Sequence, residues 1–433
     1  MSDSSKTKQE DADIPGIDWP RPPQAPDQGL QQAHKAMRLI IEAGFRARLA
    51  GGCVRDRILG AKPKDYDIAS DAKPEQICLI FEQKGIKVVP TGIDHGTVTV
   101  VLAGKGIEVT TLRRDVATDG RHAVVAFGTS YREDAERRDF TMNALFEDLD
   151  GKVYDYFHGI DDLQKGILRF VGDPVTRMRE DYLRILRLFR FWARFEFEPA
   201  AATLEAIAQE APGLSRISQE RITSELLLLL SEDAVVAPLK AMEKSGVLAL
   251  CLSLSSGKAD LEGLAAYKSI RKEERALCRL ATLIAKHRKE DELLSYGGSL
   301  RLSRQQQLAL VSLREAPSAE VLSSKAQTMD YLDQLEKAWT PDTLLPIALP
   351  ALALLYPEAG ATVRALSQFE EQWGGRRRCP LPLAGAELMK KLDLKPGPEL
   401  GELLKELKRS FREGEWTSAA EGLRKAREYL GSG

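Results

Sequence analysis

The chain has 433 residues, too many for one ordinary core, so two to four domains are expected. Its 62 lysines and arginines nearly cancel 64 aspartates and glutamates, which excludes a protein basic over its whole surface but leaves room for local basic patches. The five cysteines (Cys53, Cys78, Cys251, Cys278, Cys379) are scattered and odd in number, no signal peptide is evident, and the apolar run at 226–230 is far too short to span a bilayer. Together these features point to a reducing, cytoplasmic setting.

Residues 1–28 are polar and rich in proline (Pro15, Pro20, Pro22, Pro23, Pro26) and read as a flexible leader. A helix over 30–43 and a strand over 46–50 lead into the stretch LAGGCVRDRILGAKPKDYDIAS at 49–70. There Gly51 and Gly52 allow close backbone approach to a bound group, and Arg55 and Asp56 open a short helix, which makes a phosphate cradle. Farther along, Asp65 and Asp67 point the same way from an extended segment, while Tyr66 and Ile68 point into a core. Two carboxylates so close repel each other, and a fold keeps such a pair when a cation sits between them. For the aspartates alone, a solvated turn after Pro63 is the structural alternative.

A helix over 74–83 and strands over 87–89, 97–102 and 108–112 follow. In the last of these, Glu108 shares a face with Thr110 and is a candidate third carboxylate; an edge-strand charge is its alternative. Three carboxylates with a triphosphate would suit octahedral Mg²⁺, and such a site performs in-line phosphoryl or nucleotidyl transfer. Next comes ERRDFTMNAL at 136–145. The forked guanidiniums of Arg137 and Arg138 suit a triphosphate, and Asn143 could bond a ribose hydroxyl or a phosphate oxygen. A salt-bridged helix start near Asp139 would explain the same charges. His95, His122 and His158 have no metal-ligand spacing and carry no catalytic assignment.

In REDYLRILRLFRFWARF, at 179–195, Asp181, Arg184, Arg187 and Arg190 recur every third residue within otherwise apolar text. On one helix they form a stripe, and the surplus of apolar surface requires that helix to be largely buried with its charges facing a cleft. Internal pairing of Asp181 with Arg184 is the alternative. A carboxylate accepts from the exocyclic amino group of cytosine or adenine, where uracil and guanine present a carbonyl. Asp181 with Arg184 can therefore select C and A without a template. Beyond Asp173 the text is almost wholly helical, interrupted near 253–258, 316–318 and 374–382. Late in the chain, Arg376, Arg377 and Arg378 beside Trp373, then Lys405, Lys408, Arg409 and Arg412, could track an RNA backbone, although Glu402, Glu406 and Glu413 make an ordinary solvated face the favoured account.

The blocks GGCVRD with DYD (51–67), EVTTLRRD (108–115), RRDFTMNA (137–144), EDYLRILR (180–187) and ISQERITSEL (217–226), in this order, resemble the bacterial class II tRNA nucleotidyltransferase and poly(A) polymerase family. The resemblance implies an α+β fold, with a small nucleotidyltransferase α/β head on a mixed sheet followed by an all-α neck, body and tail. The implied borders are a leader at 1–28, head 29–150, neck 151–230, body 231–373 and tail 374–433. It further implies a two-metal Mg²⁺ site at Asp65 and Asp67, with CTP and ATP as substrates. Nucleotide contacts would come from Gly52, Arg55, Arg138, Asp181, Arg184, Arg187 and Arg190, with Gly51 and Asn143 beside them. The implied partner is the tRNA 3′ end and acceptor arm, with no membrane and no obligate protein partner. Full CCA addition, addition of A alone and poly(A) synthesis remain open, as does a non-catalytic RNA-binding role on the same scaffold. The segment 110–128, carrying Asp119, Gly120, Arg121 and His122, resembles the flexible loop of CCA-adding members, which is shortened in those that add only CC.

Overall fold

Alternation writes the first sheet: Val98, Val100 and Leu102 are buried while Thr97, Thr99 and Val101 alternate with them on the other face. The computed structural model describes residues 14–20, 27–118, 123–252, 261–284, 290–314 and 317–431, and the chain forms two compact units, Met1–Gly257 and Lys258–Gly433. The first ten strands of the first unit are β1 (Ile17–Asp18), β2 (Ala47–Ala50), β3 (Asp67–Ser70), β4 (Val88–Gly92), β5 (Thr97–Leu102), β6 (Lys105–Thr111), β7 (Arg113–Thr118), β8 (Ala123–Phe127), β9 (Leu145–Glu147) and β10 (Lys152–Asp155). Eight of them make one sheet in the order β1-β10-β9-β2-β3-β6-β5-β4, while β7 and β8 pair separately. Within the sheet, β3 and β6 run parallel and the other neighbours antiparallel, so the sheet is mixed as expected.

Helices α1 (Gln28–Glu42), α2 (Gly52–Ile58) and α3 (Pro74–Glu82) alternate with the early strands. Helix α1 starts two residues earlier than its apolar pattern because Asp27 caps it, its Oδ1 accepting from the Gly29 amide at 2.8 Å. Ile17 and Asp18 lie inside the expected flexible leader, yet they add an edge strand to β10; the leader's residues 1–13 and 21–26 lie outside the described residues. The segment expected as a flexible loop at 110–128 is a ribbon, with β7 and β8 antiparallel and a register shift between Asp115 and Ala117; Asp119 to His122 lie outside the described residues.

After α4 (Tyr131–Glu136) and α5 (Gly159–Lys165), the charged stripe departs from the single helix that its spacing implies. It is two helices, α6 (Pro174–Glu180) and α7 (Leu183–Phe195), broken at Asp181, whose backbone is extended (φ −153°, ψ 104°). The Asp181 side chain supplies the reason, since its Oδ1 accepts from the Leu183 amide at 3.1 Å and offers the chain a local alternative to the helical bond. Helix α7 is largely buried as expected, with Leu183, Ile185, Leu186, Leu188, Phe189, Phe191, Trp192 and Ala193 covered. Helices α8 (Ala201–Glu210), α9 (Gln219–Ser231), α10 (Val236–Lys244) and α11 (Val247–Leu252) complete the first unit.

Among its described residues the second unit is helical throughout. Two of its helices, α12 (Lys325–Glu336) and α13 (Gly360–Arg378), carry the partners of an arginine group that the sequence offered as an RNA track. Arg377 has a fully buried side chain paired with Asp333, Glu336 and Glu370, and Arg378 pairs with Glu336 and Glu370. From α14 (Pro398–Glu413), Arg412 pairs with Asp333 at 2.5 Å. Arg377 and Arg412 are buried and neutralised within the unit, whereas Arg378 is exposed beside its carboxylates; Lys405, Lys408 and Arg409 are exposed, and the Arg376 side chain lies outside what is described. No described helix is long and apolar enough to cross a membrane.

Candidate active site

A cleft of about 830 Å³ in the first unit is lined from β3, β6, α2, the 137–143 segment, α7 and α9. Of the residues expected at the site, Asp65, Asp67, Glu108, Gly52, Arg55, Arg138, Asn143, Asp181, Arg184, Arg187 and Arg190 all border it, although they span more than a hundred positions of the chain. Gly51 alone does not line it.

The acidic wall comes from the parallel pair. Asp67, the first residue of β3, stands in register with Glu108 of β6, and Asp65 lies just before the strand. Burial and then the Glu108 charge push the Asp67 carboxyl up to about 6, with Asp65 adding and Arg138 opposing. Among the described residues no group of three or more His, Cys, Asp or Glu side chains is gathered as a metal cage, so the expected three-carboxylate set is not formed by the protein alone. The unrelieved repulsion at Asp67 still fits a divalent cation. Mg²⁺ is usually held by one or two carboxylates, completed by waters and substrate phosphates.

The opposite wall is cationic, and each guanidinium is held. Gly51 turns with φ +73° and donates its amide to Leu145 O at 2.9 Å; a Cβ there would lie 2.5 Å from Arg138 Nη1. Its role is to let that guanidinium pass. Arg55 is buried, with Nη1 donating to Asn143 Oδ1 at 2.5 Å and both Nε and Nη2 donating to Asp56 Oδ1. The fully buried Asp134 accepts Arg137 on Oδ1 (2.6 Å) and Arg138 on Oδ2 (2.9 Å). Burial alone would raise its pKa, but the two guanidiniums hold it below the usual carboxylate range. Asp139 accepts Arg187 Nε at 2.8 Å on Oδ2 and Asn143 Nδ2 at 2.9 Å on Oδ1, so Asn143 is held between Arg55 and Asp139. The Asp139 carboxyl is likewise lowered: burial would raise it, but the Arg187 charge and the hydrogen bonds from Asn143, Arg187 and the Phe140 amide together outweigh that.

The Asp181–Arg184 ion pair does not form. Asp181 Oδ2 accepts from Arg221 Nη2 at 2.7 Å, and Arg184 is held by Glu180 Oε2 (2.6 Å) and by the carbonyls of Arg177 and Arg137. Arg190 donates to Glu225 Oε2 at 2.7 Å, and the Phe191 ring lies 4.4 Å from its guanidinium carbon. Sequence reasoning named Asp56 only as part of a helix start, and it missed Asp134, Glu180, Arg221 and Glu225 as counter-charges of the cleft. The signals were at hand: Asp56, Glu180, Arg221 and Glu225 stand in blocks already singled out, and Asp134 with Arg138 and Glu180 with Arg184 have the spacing of one helical turn.

Residues 47–169 match the model of the poly A polymerase head domain, and residues 196–253 match that of the probable RNA and SrmB-binding site of polymerase A. The chain is 35% identical over 394 residues to the CCA tRNA nucleotidyltransferase 1, mitochondrial, of Danio rerio, covering 88% of this chain and 86% of that one. It is 33% identical over 389 residues to the CCA-adding enzyme of Limosilactobacillus reuteri, covering 89% and 93%. The crystal structure of the Bacillus stearothermophilus CCA-adding enzyme in complex with CTP matches with a TM-score of 0.62 at 26% identity, over 94% of this chain and all of that one.

Proposed function

The chain belongs to the CCA tRNA nucleotidyltransferase family, and from that membership we propose that it adds C and A to the 3′ end of tRNA from CTP and ATP, releasing pyrophosphate. One observation carries the reading: the carboxylates of Asp67 and Glu108 and the base-reading groups Asp181 and Arg184 border a single cleft.

In this reading the tRNA 3′ hydroxyl attacks the α-phosphate of the bound nucleotide in line with the departing pyrophosphate. Asp65 and Asp67 would hold Mg²⁺, which when bound activates the hydroxyl and neutralises charge on the phosphates. Glu108 keeps the local field negative beside them. Arg138, with the Gly52 backbone close by, receives the triphosphate, while Arg55 and Asn143 brace the floor beneath it. Asp181 accepts from the exocyclic amino group of C or A, and Arg184 donates to the neighbouring ring atom. Fixed donors and acceptors need no reorganisation when the bond forms, which is how such a cleft selects a base without a template strand.

The proposed division of labour keeps the borders 29–150, 151–230, 231–373 and 374–433 for head, neck, body and tail, with the tail reaching toward the tRNA. All five cysteines are free, which supports a reducing compartment such as the cytoplasm. The test is to supply tRNAs ending at the discriminator base, at CC and at CCA with CTP and ATP, separately and together. Full addition restores CCA on the first two and leaves the third unchanged. Extension of only the CC-ending substrate would replace this proposal with A addition, and long adenylate tails on unrelated RNA would replace it with poly(A) synthesis.

A further inference from the structure

Helix α9 presents Arg221 and Glu225 one turn apart toward the base-reading residues. Glu225 accepts from Arg190 at 2.7 Å and lies 3.9 Å from Arg187, while Arg221 reaches the other end of the set and pairs with Asp181 at 2.7 Å. Asp181 differs from its three companions because it stands outside α7, on an extended residue between two helices. Its carboxylate is held by two hydrogen bonds, one from the Leu183 amide to Oδ1 and one from Arg221 to Oδ2. Each oxygen keeps a second acceptor site, and Asp181, Arg184 and Arg221 all border the cleft.

We propose that Arg221 is a positioning residue that sets base specificity by fixing the direction in which Asp181 offers its free lone pairs. This rests on the reading of the cleft as the CTP and ATP site. Discrimination between an amino group and a carbonyl depends on an acceptor held in place. A carboxylate held at Oδ1 by the Leu183 amide alone can swing its other oxygen away from a carbonyl, and the penalty for binding uracil or guanine then falls. Arg221 need not touch the nucleotide to have this effect. Arg184 has its own supports in Glu180 and two backbone carbonyls, so loss of Arg221 acts on the Asp181 half of the pair.

The experiment measures kcat/KM for CTP against UTP on tRNA lacking CCA, and for ATP against GTP on tRNA ending in CC. The chains compared are the wild type, R221M and R221K, with thermal melting recorded for each. R221M keeps the aliphatic stem and removes the guanidinium; R221K restores a donor. The expected result is a fall of about tenfold in both the C-over-U and A-over-G ratios for R221M, the scale of one charged hydrogen bond, with partial recovery in R221K. Ratios unchanged in R221M, with only the melting temperature or the overall rate reduced, would overturn the inference, since a purely structural role moves those readouts alone. A wild-type chain that transfers neither nucleotide would instead overturn the proposed function, and this inference with it. Should R221M fail to fold, a well-folded R221K with wild-type ratios supports the inference if R221Q, folded, lowers them, and overturns it if R221Q does not.

Discussion

Asp67 stands in register with Glu108 across the parallel pair β3–β6, one strand spacing away on the wall of the cleft. Like charges side by side in a partly dry site destabilise the protein that carries them, as the raised Asp67 carboxyl reflects. Asp67→Asn should therefore abolish nucleotidyl transfer and, in buffer containing EDTA, raise the melting temperature by on the order of 2 °C. Thermal melts beside single-turnover assays check both halves. Full activity in this variant would remove Asp67 from the proposed site.

Asp134 is wholly buried and holds two arginines, so Asp134→Asn leaves two guanidiniums without a counter-charge. Because Arg137 and Arg138 are about one-fifth exposed, part of the loss is screened, and about 2–3 kcal/mol at pH 7 is expected. The folded pKa of Asp134 lies below the unfolded one. Its stabilisation is therefore complete above the ordinary carboxylate value of about 4 and is lost as pH falls through the lowered value. Urea melts at a series of pH values should show the gap between wild type and variant narrowing below about pH 4.

Gly51→Ala combines a left-handed backbone with a Cβ placed 2.5 Å from Arg138 Nη1, so the guanidinium must move. A stability loss of about 1–2 kcal/mol is expected, with KM for CTP and ATP raised about tenfold and kcat less affected. Gly52→Ala, whose added atom would meet Arg55 at 3.4 Å, should cost less stability. Steady-state kinetics and denaturant melts on both variants compare the two positions.

Burial pushes the thiols of Cys53, Cys251 and Cys278 up to about 12, while Cys379 is exposed and Cys78 half-buried. Native protein treated with iodoacetamide near pH 8 should be alkylated first at Cys379, then slowly at Cys78, and at the other three only after unfolding. Peptide mass spectrometry reads the order. Early modification of Cys53 would contradict the packing beneath the glycine turn.

The tail arginines divide by burial. Arg377→Ala removes the partner of three carboxylates from a fully covered side chain and should cost about 3–5 kcal/mol without changing the salt slope of tRNA binding. Lys408→Ala and Arg409→Ala should leave stability near wild type and reduce that slope by about one each. Filter binding across a salt series distinguishes the two behaviours.

Much of the site was legible in the sequence because its chemistry is local. The glycine turn, Asp65 with Asp67, and the arginine pair 137–138 each declare a function through neighbours within a few residues. The stripe proposed to read the base was legible in composition but not in shape. A three-residue spacing implied one helix, and only the Asp181 carboxylate bonding to the Leu183 amide showed why the helix breaks there. The late arginines could not be sorted from the sequence, because spacing reports a helical face and says nothing of what covers it.

By itself the sequence determined the candidate groups for the proposed chemistry: two carboxylates for a metal, arginines for a triphosphate, and an aspartate and arginine for a base. The tertiary structure decided how each is held. Asp134 meets Arg137 and Arg138 within one helical turn, but Asp139, Arg221 and Glu225 meet their partners through packing of separate elements, across up to 48 positions in the Asp139–Arg187 pair. A buried charge must find an opposite charge nearby in space, and proximity along the chain is no condition of that. That is why the reacting groups could be read from order and spacing, whereas the clamps that orient them could be read only from the folded chain.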